Sequence, residues 1–295
     1  MPVTAIDNDT FIIAARTNNA SIQYSEKTRD AINKIKSQSS ADEVKRILKS
    51  ANYLRRERKF NEFIAIWSEA VQWLQKHKEY GPEHQKTSSA YRVIGDAYKQ
   101  WGKIKEAITN YKQAISSLEN TSFNTKQYQL QILHNKIGIA YSQDQKDKKA
   151  IFHYERGLEL SNGNEEKYGK IMATTMYNLA ILYRYYGRMA DADKILQDAL
   201  RIRINKFGND HHLVGSILQQ QARLYNSLGK HQRALIKSQE AYDIVKHLDK
   251  NNPRSIESQK SLISSYISLK MFKEADAISK EILIRSRKKA KGHPN

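Results

Sequence analysis

The chain has 295 residues, of which 50 are Lys or Arg and 31 are Asp or Glu, so its formal net charge is +19 at pH 7. It contains no cysteine, which excludes disulfides and thiolate metal sites, and no apolar run approaches the roughly 20 residues that cross a bilayer. The large positive excess indicates attraction to an acidic protein, a nucleic acid or an anionic membrane surface.

Residues 1–40 lie outside the pattern that fills the rest of the chain, and we expect a partly flexible segment with a short helix near Glu26–Lys36. The apolar stretch at residues 11–15 makes a poor signal or transit peptide. The expected location is therefore the cytoplasm, with the nucleus as the alternative. Ser40 and Glu43 fit a capping box that begins the next helix.

From residue 41 to residue 285 one unit recurs six times. A small or apolar residue, here called the reference residue, marks each unit, and successive reference residues are 44, 43, 42, 42 and 41 positions apart. A regular period of this size predicts a solenoid of one repeated supersecondary unit. The reference residues are Ala51, Gly95, Gly138, Ala180, Ala222 and Ile263, and three positions after them come Leu54, Tyr98, Tyr141, Tyr183, Tyr225 and Tyr266.

Each unit reads as two helices, because its apolar residues recur at spacings of three and four. The small reference residues allow the helices to approach closely, and we expect Tyr98, Tyr141, Tyr183 and Tyr225 to be largely buried between them. The predicted pairs are 41–56 with 60–77, 86–100 with 104–119, 127–143 with 147–160, 167–186 with 189–206, 212–228 with 231–248, and 254–269 with 272–288.

The second unit carries Tyr91, Gly95, Tyr98, Ala107 and Tyr111 in an order that resembles the tetratricopeptide repeat. The connectors 80–84 and 207–211 lengthen the unit and resemble those of the kinesin light chain and nephrocystin class. This resemblance implies an all-α fold, a right-handed α-solenoid of about six helix-turn-helix repeats over residues 41–285. A basic C-terminal tail, 286–295, is expected to follow.

The connector after the fourth unit contains Asp210, His211 and His212, which could form a metal site or could simply separate two helices. Recurrence of a histidine at His84 favours the second interpretation. Gly208 would then end one helix at positive φ, and Asp210 would accept amide hydrogen bonds at the start of the next. The pair Glu165 and Glu166 likewise fits a helix start better than an acid–base couple.

No phosphate-binding glycine loop, dinucleotide fingerprint or zinc helix motif is present in the sequence. We therefore predict a protein that is not an enzyme and that has no cofactor and no metal. The expected partner is a protein or peptide, acidic in character, with a nucleic acid as the second choice.

The resemblance implies that the first helix of each pair lines a concave groove. The inward positions would be three before the reference residue and one, four and five after it. The resulting surface is cationic, amide-rich and partly aromatic, with Asp96 as the main exception, and such side chains can hold the carboxylates and backbone of a peptide. The candidate residues are Asn52, Arg55, Arg56, Arg92, Lys99, Asn135, Tyr177, Arg184, Tyr185, Gln219, Arg223 and Asn226.

Two functions follow from these residues. The first is an adaptor or scaffold that binds extended or acidic peptide segments in the groove. The alternative is an RNA-associated protein that uses its distributed basic surface. Solvation alone would also account for the charged side chains.

Overall fold

The computed structural model describes residues 23–37, 40–122, 124–161, 163–248 and 252–291, and it describes side chains as far as residue 284. No β-strand occurs in these ranges. The helices, in chain order, are α1 (Glu26–Lys36), α2 (Ala41–Ser50), α3 (Asn52–Arg56), α4 (Phe60–Lys76), α5 (Gln85–Gln100), α6 (Ile104–Ser116), α7 (Lys126–Gln143), α8 (Asp147–Glu159), α9 (Glu165–Tyr185), α10 (Met189–Phe207), α11 (His212–Ser227), α12 (His231–Val245), α13 (Pro253–Ser268) and α14 (Phe272–Lys291).

The helix pairs predicted from the sequence are present, and two differences are informative. The predicted helix 41–56 is interrupted at Ala51, which divides it into α2 and α3. At the other end, α14 extends through Lys291 and so includes residues 286–291 of the predicted basic tail. Preceding the repeats, α1 covers residues 26–36, the place of the short helix expected there.

The chain divides into two compact units between Ser117 and Leu118. In unit 1, α1 packs against α4, and α5 packs against both α4 and α6. In unit 2, the pairs α7–α8, α9–α10, α11–α12 and α13–α14 pack together. First helices of successive repeats also touch, since α9 contacts α7 and α11, and α11 contacts α13. The domain boundaries 1–40, 41–285 and 286–295 remain predictions.

One turn ends the first helix of every repeat. In this turn one residue has positive φ, such as Gly102 (84°) or Gln145 (57°), and the N–H of the next residue donates to a carbonyl five residues earlier. That carbonyl always belongs to the residue three after the reference residue, which is tyrosine in five of the six repeats. All six repeats therefore share the phase deduced from the sequence. The donor–acceptor pairs are Lys59–Leu54, Lys103–Tyr98, Lys146–Tyr141, Arg188–Tyr183, Lys230–Tyr225 and Met271–Tyr266.

Glycine at the reference position makes room for an aromatic ring from the second helix. A Cβ added to Gly95 would lie 2.6 Å from the Tyr111 ring, and one added to Gly138 would lie 2.4 Å from the Tyr154 ring. Both rings are buried. The small residue and the large one are therefore a packed pair, which fixes the spacing of the two helices.

Burial of the four tyrosines agrees only in part with the prediction. Tyr141 and Tyr183 are each 7% exposed, but Tyr98 and Tyr225 are half-buried. Tyr98 stacks at 6.3 Å on Trp101, which itself faces solvent. The Tyr225 hydroxyl donates to Asp193 of α10, the second helix of the preceding repeat, at 3.3 Å. Tyrosine at this position can keep its polar end near water.

Candidate functional site

The first helices of unit 2 carry a ladder of polar side chains. Asn178 Nδ2 donates to Asn135 Oδ1 at 3.3 Å, and Gln220 Nε2 donates to the Tyr177 hydroxyl at 3.2 Å. In both pairs the donor stands 43 residues after the acceptor, one residue more than the 42-residue step between the reference residues of these repeats. We call this surface the unit 2 face, and we define it by Asn135, Tyr177, Asn178, Arg184, Tyr185, Gln220, Arg223 and Glu257.

Two arginines lie near each other on the unit 2 face. Arg223 on α11 forms an ion pair with Glu257 on α13. Arg184 on α9 is half-buried, and its Nε is buried without a hydrogen-bond partner among the described residues. Burial lowers the pKa of Arg184, and the neighbouring positive charge of Arg223 lowers it further. The cluster therefore holds two guanidinium groups and one carboxylate.

Of the other predicted residues of unit 2, Tyr185 is 73% exposed and is the one most available to a ligand. Asn226 is engaged with Ser265 at 3.4 Å and with His231 at 3.3 Å. Asn135 and Gln219 are buried, which leaves little of either side chain for a ligand.

Tyr177 also contacts an arginine of the second helix of its repeat, which the sequence did not indicate. The buried Arg203 of α10 places its guanidinium 5.4 Å from the Tyr177 ring and donates to the Leu213 carbonyl at 2.6 Å. Burial lowers the pKa of Arg203 to about 10, so this guanidinium stays charged at neutral pH.

In unit 1 the predicted residues have mainly local contacts. Asn52 Nδ2 donates to the Lys49 carbonyl at 3.2 Å, and Arg92 lies 3.7 Å from the Asp96 carboxylate. Arg55 places its guanidinium 5.8 Å from the centre of the Phe63 ring. No shared cluster like that on the unit 2 face is evident from the contacts of these side chains. The predicted residues of unit 1 are Asn52, Arg55, Arg56, Arg92 and Lys99.

Sequence reasoning missed Glu257, Asn178 and Gln220. Asn178 and Gln220 occupy the same position, two before the reference residue, so repetition of an amide there was a usable signal. Glu257 lies six before Ile263, in the last repeat, whose groove positions were not assigned. Its carboxylate changes the electrostatics of the face, because it partly neutralises Arg223.

The connector histidines act as helix N-caps. His84 Nδ1 accepts from the Lys86 amide at 3.0 Å, and His211 Nδ1 accepts from the Leu213 amide at 3.2 Å. The prediction that Asp210 caps α11 is wrong, because His211 is the residue at the N-cap. Gly208, at φ 81°, does end α10. Within the described ranges no group of three or more His, Cys, Asp or Glu could hold a metal ion.

The acidic pair at residues 165 and 166 stands at a helix start, as predicted. Glu165 is the first residue of α9, and it accepts two hydrogen bonds from Arg201 of α10 at 2.6 and 2.7 Å. This contact lowers the pKa of Glu165. The carboxylate thus ties the two helices of one repeat together.

A family model of the tetratricopeptide repeat matches residues 46–120 and 171–247, more than half of the chain. The chain belongs to the tetratricopeptide repeat family. No curated protein matches it in sequence.

Solved structures share the fold at low identity. BtubC (BKLC) from P. vanneervenii is 20% identical with a TM-score of 0.63, and the match covers 87% of this chain and 95% of that one. The RpL4 assembly chaperone Acl4 is 15% identical with a TM-score of 0.61, covering 82% and 90%. A kinesin light chain-like protein of P. anserina with nearly identical TPR-like repeats is 19% identical with a TM-score of 0.58, covering 70% and 98%.

These matches confirm the all-α tetratricopeptide fold and the likeness to kinesin light chain repeats. Stacked repeats of this kind build extended protein-binding surfaces and typically serve as scaffolds without catalysis. The chain is accordingly a protein-interaction adaptor in the general sense. None of its described helices is long and apolar enough to cross a membrane.

Proposed function

We propose that the unit 2 face binds an extended, acidic peptide segment of a partner protein. The observation that carries this proposal is the Arg184–Arg223 neighbourhood, where a buried Nε has no partner and a second guanidinium lies close by. A peptide carboxylate would supply charge-assisted hydrogen bonds to that site. The exposed Tyr185 ring, next in sequence, offers an apolar surface for a flanking side chain.

The half-buried side chains of Tyr177 and Asn178, on the same helix as Arg184, support an extended ligand. Asn135 and Gln220 are themselves buried and hold these two side chains through hydrogen bonds. The Asn178 amide carries both donors and an acceptor, so it can pair with a peptide backbone in either direction. A short anion would use only the arginines, whereas an extended peptide would contact Tyr177 and Asn178 as well.

Charge reversal of the two arginines tests the proposal. We expect the double variant Arg184→Glu, Arg223→Glu to bind a fluorescein-labelled dodecapeptide, with one Trp flanked by Asp and Glu, at least about tenfold more weakly. Fluorescence anisotropy measures this affinity. The matched control is Lys194→Glu with Arg233→Glu, which makes the same charge change on the second helices of the same two repeats, at exposed positions.

The nucleic-acid alternative rests on the net charge of +19 alone. A labelled single-stranded RNA of twelve nucleotides provides its test. If RNA were the ligand, affinity would fall steeply with salt concentration and both double variants would weaken it equally. Equal loss of peptide binding in both double variants would refute a specific role for Arg184 and Arg223.

A further inference from the structure

Glu257 stands where a ligand carboxylate would contact Arg223. Resting on the proposed function, we propose that Arg184 and Arg223 form a subsite for one ligand carboxylate, which Glu257 occupies in the free protein as an internal competitor. The three side chains come from the first helices of the fourth, fifth and sixth repeats, α9, α11 and α13.

Glu257 pairs with only one of the two arginines of this cluster. A terminal nitrogen of Arg223 meets Glu257 Oε1 directly, across 34 residues of sequence. The Arg184 Nε keeps no partner although it is buried. One carboxylate thus serves one of two neighbouring guanidinium groups. The Nε is closed to a ligand in the free protein, but a carboxylate that contacted Arg223 and drew the half-buried Arg184 side chain outward would give this donor a partner. An unpaired buried donor is costly.

The Arg223–Glu257 pair is also weak enough to be exchanged. Their side chains are 38% and 46% exposed, so solvent screens the pair. Exposed ion pairs contribute about 0.2–1 kcal/mol. A ligand therefore displaces Glu257 at small cost and regains the interaction with its own carboxylate. Glu257 thus selects for acidic ligands, since a segment without an acidic residue would break the Arg223–Glu257 ion pair and form none in its place.

A purely structural ion pair makes the opposite prediction. If Glu257 only attached the last repeat, its loss would loosen α13 and leave ligand affinity unchanged or lower. If Glu257 competes, its neutralisation frees Arg223 and raises affinity. The two roles therefore differ in the sign of the effect on binding.

The test compares Glu257→Gln with Glu240→Gln. Glu240 is similarly exposed, 43% against 46%, and pairs with Lys237 within α12. Both substitutions remove one negative charge, so general attraction to an acidic probe rises equally. We expect Glu257→Gln to bind the labelled acidic dodecapeptide up to about fivefold more tightly than wild type, and Glu240→Gln to differ little. In an Arg223→Gln background, Glu257→Gln should have no further effect.

Each outcome decides. Equal tightening by both variants, or a gain from Glu257→Gln that persists without Arg223, would overturn the inference. A third outcome is that the double variant Arg184→Glu, Arg223→Glu loses peptide binding whereas Glu257→Gln binds as wild type does. That outcome would overturn the inference and keep the proposed function. Binding by Glu257→Gln when wild type shows none would support it. Failure of wild type and Glu257→Gln alike to bind the dodecapeptide would overturn both.

Discussion

Phe60 and Phe272 occupy the same position, nine after the reference residue, and each begins the second helix of its repeat. Phe60 is 5% exposed and stacks on Trp101 of the following repeat with ring centroids 6.1 Å apart. Phe272 is 61% exposed. The repeat therefore decides where a helix begins, whereas a neighbouring repeat decides whether the same residue is buried.

The two units also differ in the chemical character of their buried residues. In unit 1, α4 is buried through large apolar side chains such as Phe63, Ile64 and Ile66. In unit 2, three of the nine buried residues of α11 and five of the six buried residues of α13 carry amides or hydroxyls. Apolar burial stabilises in proportion to area, but buried polar groups contribute only when they are paired. The polar residues concerned are Gln219, Gln220, Gln221, Ser255, Ser258, Gln259, Ser261 and Ser265.

Truncation of the two phenylalanines is expected to give the largest difference in stability. We expect Phe60→Ala to lower the free energy of unfolding by about 3–5 kcal/mol, as other core truncations of this size do. Phe272→Ala should change it by less than about 0.5 kcal/mol, since the ring is mostly in solvent. Urea denaturation followed by circular dichroism measures both. Similar losses in the two variants would contradict the difference in burial.

A smaller effect is expected where glycine makes room for a ring. Gly138→Ala should cost about 1–2 kcal/mol of unfolding free energy, because overpacking against Tyr154 outweighs the gain in helix propensity. Gly215→Ala is the control, since its Cβ would have no neighbour nearer than 3.5 Å.

Restoring the size balance should rescue this variant. The fourth repeat pairs Ala180 with Leu196 at the positions that Gly138 and Tyr154 hold in the third. Gly138→Ala combined with Tyr154→Leu should therefore recover most of the loss, by the same urea measurement. A double variant less stable than either single variant would show that the two positions do not pack as a pair.

The smallest expected effects concern the polar residues of unit 2, and they differ in sign. Ser258 is fully buried and its Oγ has no partner among the described residues, so Ser258→Ala should be neutral or stabilise by up to about 1 kcal/mol. Ser238 contacts the Ser261 and Ser265 hydroxyls at 3.1 and 2.8 Å, so Ser238→Ala should cost about 1 kcal/mol. Destabilisation of equal size in both variants would argue against this distinction.

Arg184 and Arg223 were found from the sequence because their positions are offsets from a reference residue, and α9 and α11 are regular enough to preserve those offsets. The ion pair of Arg223 with Glu257 was not found, since it depends on how α11 and α13 pack. The contact of Arg203 with Tyr177 was missed for the same reason.

The repeat phase and most helix bounds follow from the amino-acid sequence alone, because they depend on local interactions. The six turns close through hydrogen bonds that span five residues, and the small-residue positions recur at a fixed interval. Contacts between repeats, such as Gln220 with Tyr177 and Arg223 with Glu257, 43 and 34 residues apart, depend instead on tertiary packing. A periodic sequence specifies which face a side chain is on, but the partner it finds there depends on helix packing between repeats.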